Sequence, residues 1–133
     1  AIAGTYTPIA VFVLPPSTRN ILLSVVWGGA VAGIVLRLFF HDLPYPVIAL
    51  PYVAVGWAAV FFLGDIWRAM GPAGFVLIAV GGVMYTVGAV IYAFRRPNPW
   101  PETFGYHEVF HLFVIAGAAT HYVAVAFFAL PNA

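Results

Sequence analysis

The chain has 133 residues, of which 64% are apolar and only 7% charged, with a formal net charge of +1 and a mean hydropathy of +1.02. A soluble domain averages about 45–50% apolar and about 25% charged residues, so a water-soluble fold of this composition would carry an apolar exterior that aggregates. The small net charge leaves no basic surface to neutralise phosphates, which excludes nucleic acid as a partner; the absence of cysteine excludes disulfides and thiolate metal sites.

Lipid is the solvent that suits such a chain, and apolar runs punctuated by proline, glycine and charge divide it. The first run, residues 1–14, stops at Pro15-Pro16. At about 1.5 Å per residue it covers only two-thirds of a bilayer core of about 30 Å. No basic segment precedes it and no clear cleavage site closes it, which argues against a signal peptide. With Ala1 in place of Met, it reads as the tail of a helix that begins upstream. A polar turn is expected over 15–20. The second run, 21–40, is long enough to span and carries Arg37 near one end, where it can snorkel.

A turn over 41–46 precedes the third run, 47–63, and Asp65, Trp67, Arg68, Gly71 and Pro72 mark the next boundary. The fourth run is 73–94. The longest loop, 95–106, holds Arg95, Arg96, three prolines and Glu102, and the last run, 107–130, ends at Pro131. None of the runs alternates as β-barrel strands do. The expected fold is an all-α integral membrane bundle with four full spans and one partial span, facing membrane lipids. Tyr45, Trp67, Trp100 and Tyr106 fall at run ends, where aromatic belts lie.

Small residues suggest how the spans pack. Gly29 and Gly33 form a GxxxG pair, and Gly81, Gly82 and Gly88 line the fourth span; in lipid such residues let backbones approach. Pro8 and Pro51 are expected to kink their helices, with Thr5 and Thr7 placed to satisfy freed backbone groups. Arg37, Arg95 and Arg96 flank one set of loops and Arg19 and Arg68 the other, so the positive-inside rule puts the 95–106 loop in the cytoplasm.

The segment that carries chemistry is His107-Glu108-Val109-Phe110-His111. Residues four apart share one face of a helix, so both imidazoles can reach a single metal ion. Ionisable residues in a membrane run point to function, while a pair of interfacial histidines bonded to loop groups is the alternative. The segment also matches H-E-x-x-H, in which two histidines hold zinc and the glutamate deprotonates a water. Glu108 is then a candidate general base. Intramembrane metalloproteases that use this pattern also carry an Asp motif such as NPDG or LDG, which neither Asp42 nor Asp65 matches. His121 lies about 15 Å beyond His111 along the axis, too far to share that metal, and is expected to bond a neighbouring helix. His41, at the same predicted side as His107, is a candidate third ligand or a headgroup-facing loop residue.

Several segments together resemble the bacterial hemolysin III family, within the superfamily of progestin and adiponectin receptors. They are Gly4-Thr5-Tyr6-Thr7-Pro8, Trp27 followed by Gly33-Ile34-Val35-Leu36-Arg37, Gly56-Trp57, Tyr85-Thr86-Val87-Gly88-Ala89 with Tyr92 and Arg95-Arg96, and Phe104 to Val114 with His121. The resemblance covers residues 1–133. It implies a seven-helix bundle in a bacterial plasma (inner) membrane, amino terminus cytoplasmic, of which this chain holds the end of helix three and helices four to seven. It also implies a Zn2+ site in which His107 and His111 are two ligands. A third histidine from helix two, and an aspartate on helix three that orients the metal's water, lie upstream. The activity implied is zinc-dependent hydrolysis of lipid amides, as in ceramidases, or a part in membrane homeostasis. The cytolytic, pore-forming role attached to the bacterial members and an intramembrane protease are the alternatives. On this topology, single cysteines at 15–20 and 67–72 should react with an impermeant maleimide from outside intact cells. Reaction at 95–106 instead would reverse the orientation.

Overall fold

Proline sets where two of the helices begin. The structure, a computed structural model, describes residues 1–40 and 42–132. Helix α1 covers Ile2–Val13, and Leu14 turns to extended backbone before Pro15. Helix α2, Pro16–Phe39, starts earlier than its apolar run: Pro16 sits in the first turn, where a missing N–H is no loss and φ is already helical. The polar turn expected over 15–20 is therefore mostly the first turn of α2. Within α1, Pro8 orphans the carbonyl of Gly4. Thr5 and Thr7 do not repair it; their hydroxyls donate to the carbonyls of Ile2 (2.9 Å) and Ala3 (2.8 Å).

Helix α3, Tyr45–Trp57, passes through a 3₁₀ stretch, Ala58–Phe62, into α4, Leu63–Phe94. This apolar stretch of 50 residues would be about 75 Å long if straight, more than twice the bilayer core. It folds back at Gly71, whose φ of 67° and ψ of −177° suit a residue without a Cβ, and Pro72 restarts the helix. Ring contacts confirm the hairpin. Tyr45 meets Tyr92 at 5.4 Å and Trp67 meets Phe75 at 5.2 Å. The third span thus runs on to residue 70, and the boundary expected over 65–72 shrinks to one glycine. Asp65 and Arg68 remain helical because they lie one turn apart at the helix surface, 4.0 Å from each other, while Ile66 and Met70 are buried.

Helix α5, Tyr106–Ala124, continues through a π-helical turn, Val125–Ala129, to Leu130–Asn132. By length and composition, 16–39, 45–94 and 106–129 are each able to cross a membrane; with the Gly71 turn these are four crossings beside the short α1. Among the described residues there is no strand, only an isolated antiparallel bridge between Trp100 and Phe104.

The tightest seam joins α4 to α5. A Cβ on Gly81 would collide with the His121 ring, and one on Gly117 would lie 3.1 Å from the Gly81 carbonyl oxygen and 3.2 Å from the Tyr85 ring. Gly88 meets Phe113 Cβ at 3.2 Å. On the other side of the bundle Gly29 receives Val55, whereas Gly33 makes ordinary contact with Tyr52 and Gly82 faces open space. The glycine pattern therefore marks real approaches at Gly29, Gly81 and Gly88 but not at Gly82. The solid core, built on Tyr6, Ile9, Leu22, Val26, Ile66 and Met70, fills the half of the bundle near Gly71. Gly117→Val should lower stability by about 1–3 kcal/mol through overpacking, read as thermal unfolding in detergent. Gly82→Ala should be neutral or stabilising, since it gains helix propensity without a clash. Equal losses in the two variants would contradict the seam.

Candidate functional site

The polar end of the bundle is organised by the start of α5. Gly105 is its N-cap. Glu108 Oε2 accepts from the Gly105 N–H at 2.8 Å, and Asn98 Oδ1 accepts from the Tyr106 N–H at 3.0 Å. Two amides that a helix start leaves unpaired are thereby satisfied. Glu108, the candidate general base, thus has a structural task, and it is not among the residues that line the neighbouring cavity. Arg95 closes α4 with a left-handed φ of 56° and lays its guanidinium over the rings of Tyr45 (5.0 Å) and Tyr106 (5.2 Å).

On the first turns of α5 the two histidines meet. His107 Nε2 and His111 Nε2 lie 3.0 Å apart, with ring centroids at 4.6 Å and planes at 81°. Two zinc–nitrogen bonds of about 2.0–2.1 Å at a tetrahedral angle would hold the nitrogens about 3.3–3.4 Å apart, so this pair fits one ion with a small adjustment. Both side chains are exposed. Among the described residues no third His, Asp or Glu joins them in a metal-holding group. His41 lies outside the described residues. Asp42 is exposed at the end of α2, and Asp65 sits with Arg68 near Gly71, at the far end of the bundle.

His107 opens onto a cavity of about 470 Å³ whose walls come from all five helices. Most of its lining is apolar, such as Ile2, Ile34, Ile48 and Val114; Arg37, Tyr52, Tyr85, Thr86 and Tyr92 add polar atoms. The Tyr85 hydroxyl is buried beside Thr5, and among the described residues it makes no hydrogen bond of ordinary geometry. From sequence, Arg37 is a snorkelling, positive-inside residue within a family-like segment, with no place at a site, and Tyr52 has no role. Their polarity inside apolar runs was the available signal.

His121 plays the structural part expected of it. It is buried, with Nε2 at 3.1 Å from the Ile78 carbonyl oxygen and Nδ1 at 3.4 Å from Thr5 Oγ1. Its ring packs edge-on against Tyr6 and Tyr85. Other polar groups clip helices together in the same way. Tyr6 donates to the Gly56 carbonyl (2.5 Å), Trp27 to Thr7 Oγ1 (3.1 Å) and Trp57 to Thr86 Oγ1 (3.2 Å).

These clips and the histidine pair fall on a known sequence pattern: a family model described as "Haemolysin-III related" matches residues 1–122. The chain belongs to that family. It is 32% identical over 132 residues to "Hemolysin-3" of Bacillus cereus, covering 99% of this chain and 58% of that protein. It is also 32% identical over 127 residues to the "Hemolysin-3 homolog" of Bacillus subtilis (strain 168), covering 96% and 57%. A shorter stretch of 48 residues, 32% of this chain, is 48% identical to "Heptahelical transmembrane protein 5" of Arabidopsis thaliana, of which it covers 13%. The chain therefore spans a little over half the length of the bacterial relatives it matches. No solved structure matches it. Membership and the apolar spans make it a multi-pass integral membrane protein of the bacterial plasma membrane.

Proposed function

We propose that His107 and His111 hold zinc in a membrane-embedded hydrolase site that acts on the amide bond of a lipid. The observation that carries this reading is the pair of Nε2 atoms 3.0 Å apart at an apolar cavity that His107 helps to line. A bound zinc ion supplies a Lewis acid for the scissile carbonyl. The chain's own contribution is position. The α5 cap fixes the turn that bears both rings, and the Tyr92, Tyr106 and Phe110 rings lie around His107 at centroid distances of 6.3, 6.3 and 5.9 Å. The largely apolar walls suit an acyl chain. The third imidazole and the water-orienting carboxylate that the family resemblance implies are assigned to helices two and three, outside these residues.

Two other readings have an observation behind them. The Bacillus relatives carry the name hemolysin, which favours membrane lysis. The literal H-E-x-x-H favours a protease, although the cap bond of Glu108 takes one oxygen of the base that chemistry needs.

The complete purified protein, reconstituted with an amide-linked lipid, is expected to release fatty acid. A chelator should stop the release and added zinc restore it. His107→Ala and His111→Ala should each lower the rate by more than about tenfold, since even outer-shell changes at metal sites cost about 10–100-fold. Cleavage of a transmembrane peptide lost on Glu108→Gln would replace this reading with the protease. Chelator-insensitive dye leakage from liposomes, without fatty-acid release, would replace it with the pore.

A further inference from the structure

The cavity beside the histidine pair is closed at its lower end. Going down each helix from the histidine level, the last residues that line it are Ala3, Gly29, Gly56, Tyr85 and Val114. Three residues below the first three of these stand Tyr6, Val26 and Ala59, all buried in the solid core. Between α4 and α5 the His121 ring fills the space that Gly81 leaves. The Tyr6 and His121 rings meet edge to face, with centroids 6.4 Å apart. Each is tied to a carbonyl of a facing helix, Tyr6 to Gly56 and His121 to Ile78. These contacts make a floor that does not yield easily.

The floor sets a depth. From His107 to Val114 is seven residues of α5, and from Arg37 to Gly29 is eight of α2, a helix rise of about 10–12 Å. One leaflet, half of a bilayer core of about 30 Å, is deeper. A zigzag chain with C–C bonds of about 1.5 Å advances about 1.3 Å per carbon, so the slot holds about eight to ten carbons. Its apolar walls do not select for length, because lipid tails outside are equally apolar. The floor does, since a further methylene must push into packed side chains.

We propose that Tyr6, Val26, Ala59 and His121 form the floor of an acyl slot that selects lipid amides with a medium-length acyl chain over those with leaflet-length chains. The inference rests on the reading that a lipid amide is cleaved at His107 and His111, and it adds which acyl chain that lipid carries.

The test uses the complete purified protein and N-acyl amides of one headgroup, with acyl chains from six to eighteen carbons. Competition for the chelated protein, read by native mass spectrometry, reports the slot alone. Fatty-acid release by the zinc-loaded protein reports the reaction, so the two readings can fail separately. Retention should peak at eight to ten carbons and fall by about tenfold at sixteen, the scale of forcing extra methylenes into a packed interior. Val114→Phe, which fills the lowest turn of the slot, should move the peak about two carbons shorter. Val26→Ala, which lowers the floor, should move it about two carbons longer. Ile115→Phe, exposed at the same depth but outside the cavity, should leave the peak in place. A kept retention peak without fatty-acid release would support the slot and count against the hydrolase reading. Equal retention across the series, a peak at sixteen carbons or more, or a peak unmoved by both Val114→Phe and Val26→Ala would each overturn the proposal.

Discussion

The contact on which the rest of the bundle depends is the close approach of α4 and α5 around Gly81, Gly117 and His121. Lipid tails are as apolar as leucine, so helices gain nothing by hiding apolar faces from them; packing and internal hydrogen bonds must hold the spans together. The missing side chain of Gly81 makes the space that the His121 ring fills, and the Ile78 carbonyl one turn away takes its Nε2. That fit sets the rotation of α5. His107 lies fourteen residues before His121, close to four helical turns, so it returns to nearly the same side and lines the cavity. His111, four residues further on, faces outward but brings its Nε2 back toward His107. A histidine buried in the seam thus aims the two whose Nε2 atoms converge.

The same logic explains why polar residues recur in otherwise apolar spans. Thr5, Tyr6, Thr7, Trp27, Gly56, Trp57, Thr86 and His121 read in the sequence as separate signatures. In the fold they pair with one another or with the backbone of a facing helix: Tyr6 with Gly56, Trp27 with Thr7, Trp57 with Thr86, His121 near Thr5. Each threonine in the two tryptophan clips also donates its own hydroxyl back along its helix, Thr7 to Ala3 and Thr86 to Gly82. The hydroxyl is therefore free only as an acceptor, which is what an indole N–H requires. Since water is absent from the bilayer core, these groups have no alternative partner there. The clips concentrate around α1, and the solid core is built in that half. Towards the histidine pair the helices separate into the cavity.

Apolar run length and the i, i+4 spacing were enough to read the spans and the convergence of His107 and His111, because both follow from helix geometry alone. Three things were not legible. The turn between the third and fourth spans rests on the backbone angles of one residue, Gly71, while the surrounding Asp65, Trp67 and Arg68 made the break look wider than it is. Charged residues at the surface of a helix end and charged residues in a loop look alike in composition. Glu108 reads in the sequence only as a candidate base; its bond to the Gly105 N–H three residues earlier emerges in the fold. The cavity depends on side chains from all five helices and has no signature in any one of them.

Copper(II) provides the most direct test of the central claim, that His107 and His111 present their Nε2 atoms to a common point. It binds nitrogen sites more tightly than zinc does, and its electron paramagnetic resonance spectrum reports the number of coordinated imidazoles. One equivalent added to the purified chain should give a two-imidazole signal. His107→Ala and His111→Ala should each reduce it to one, and His121→Ala should leave it at two. A two-imidazole signal that survives loss of His107 or of His111, or one that disappears with His121, would contradict the account.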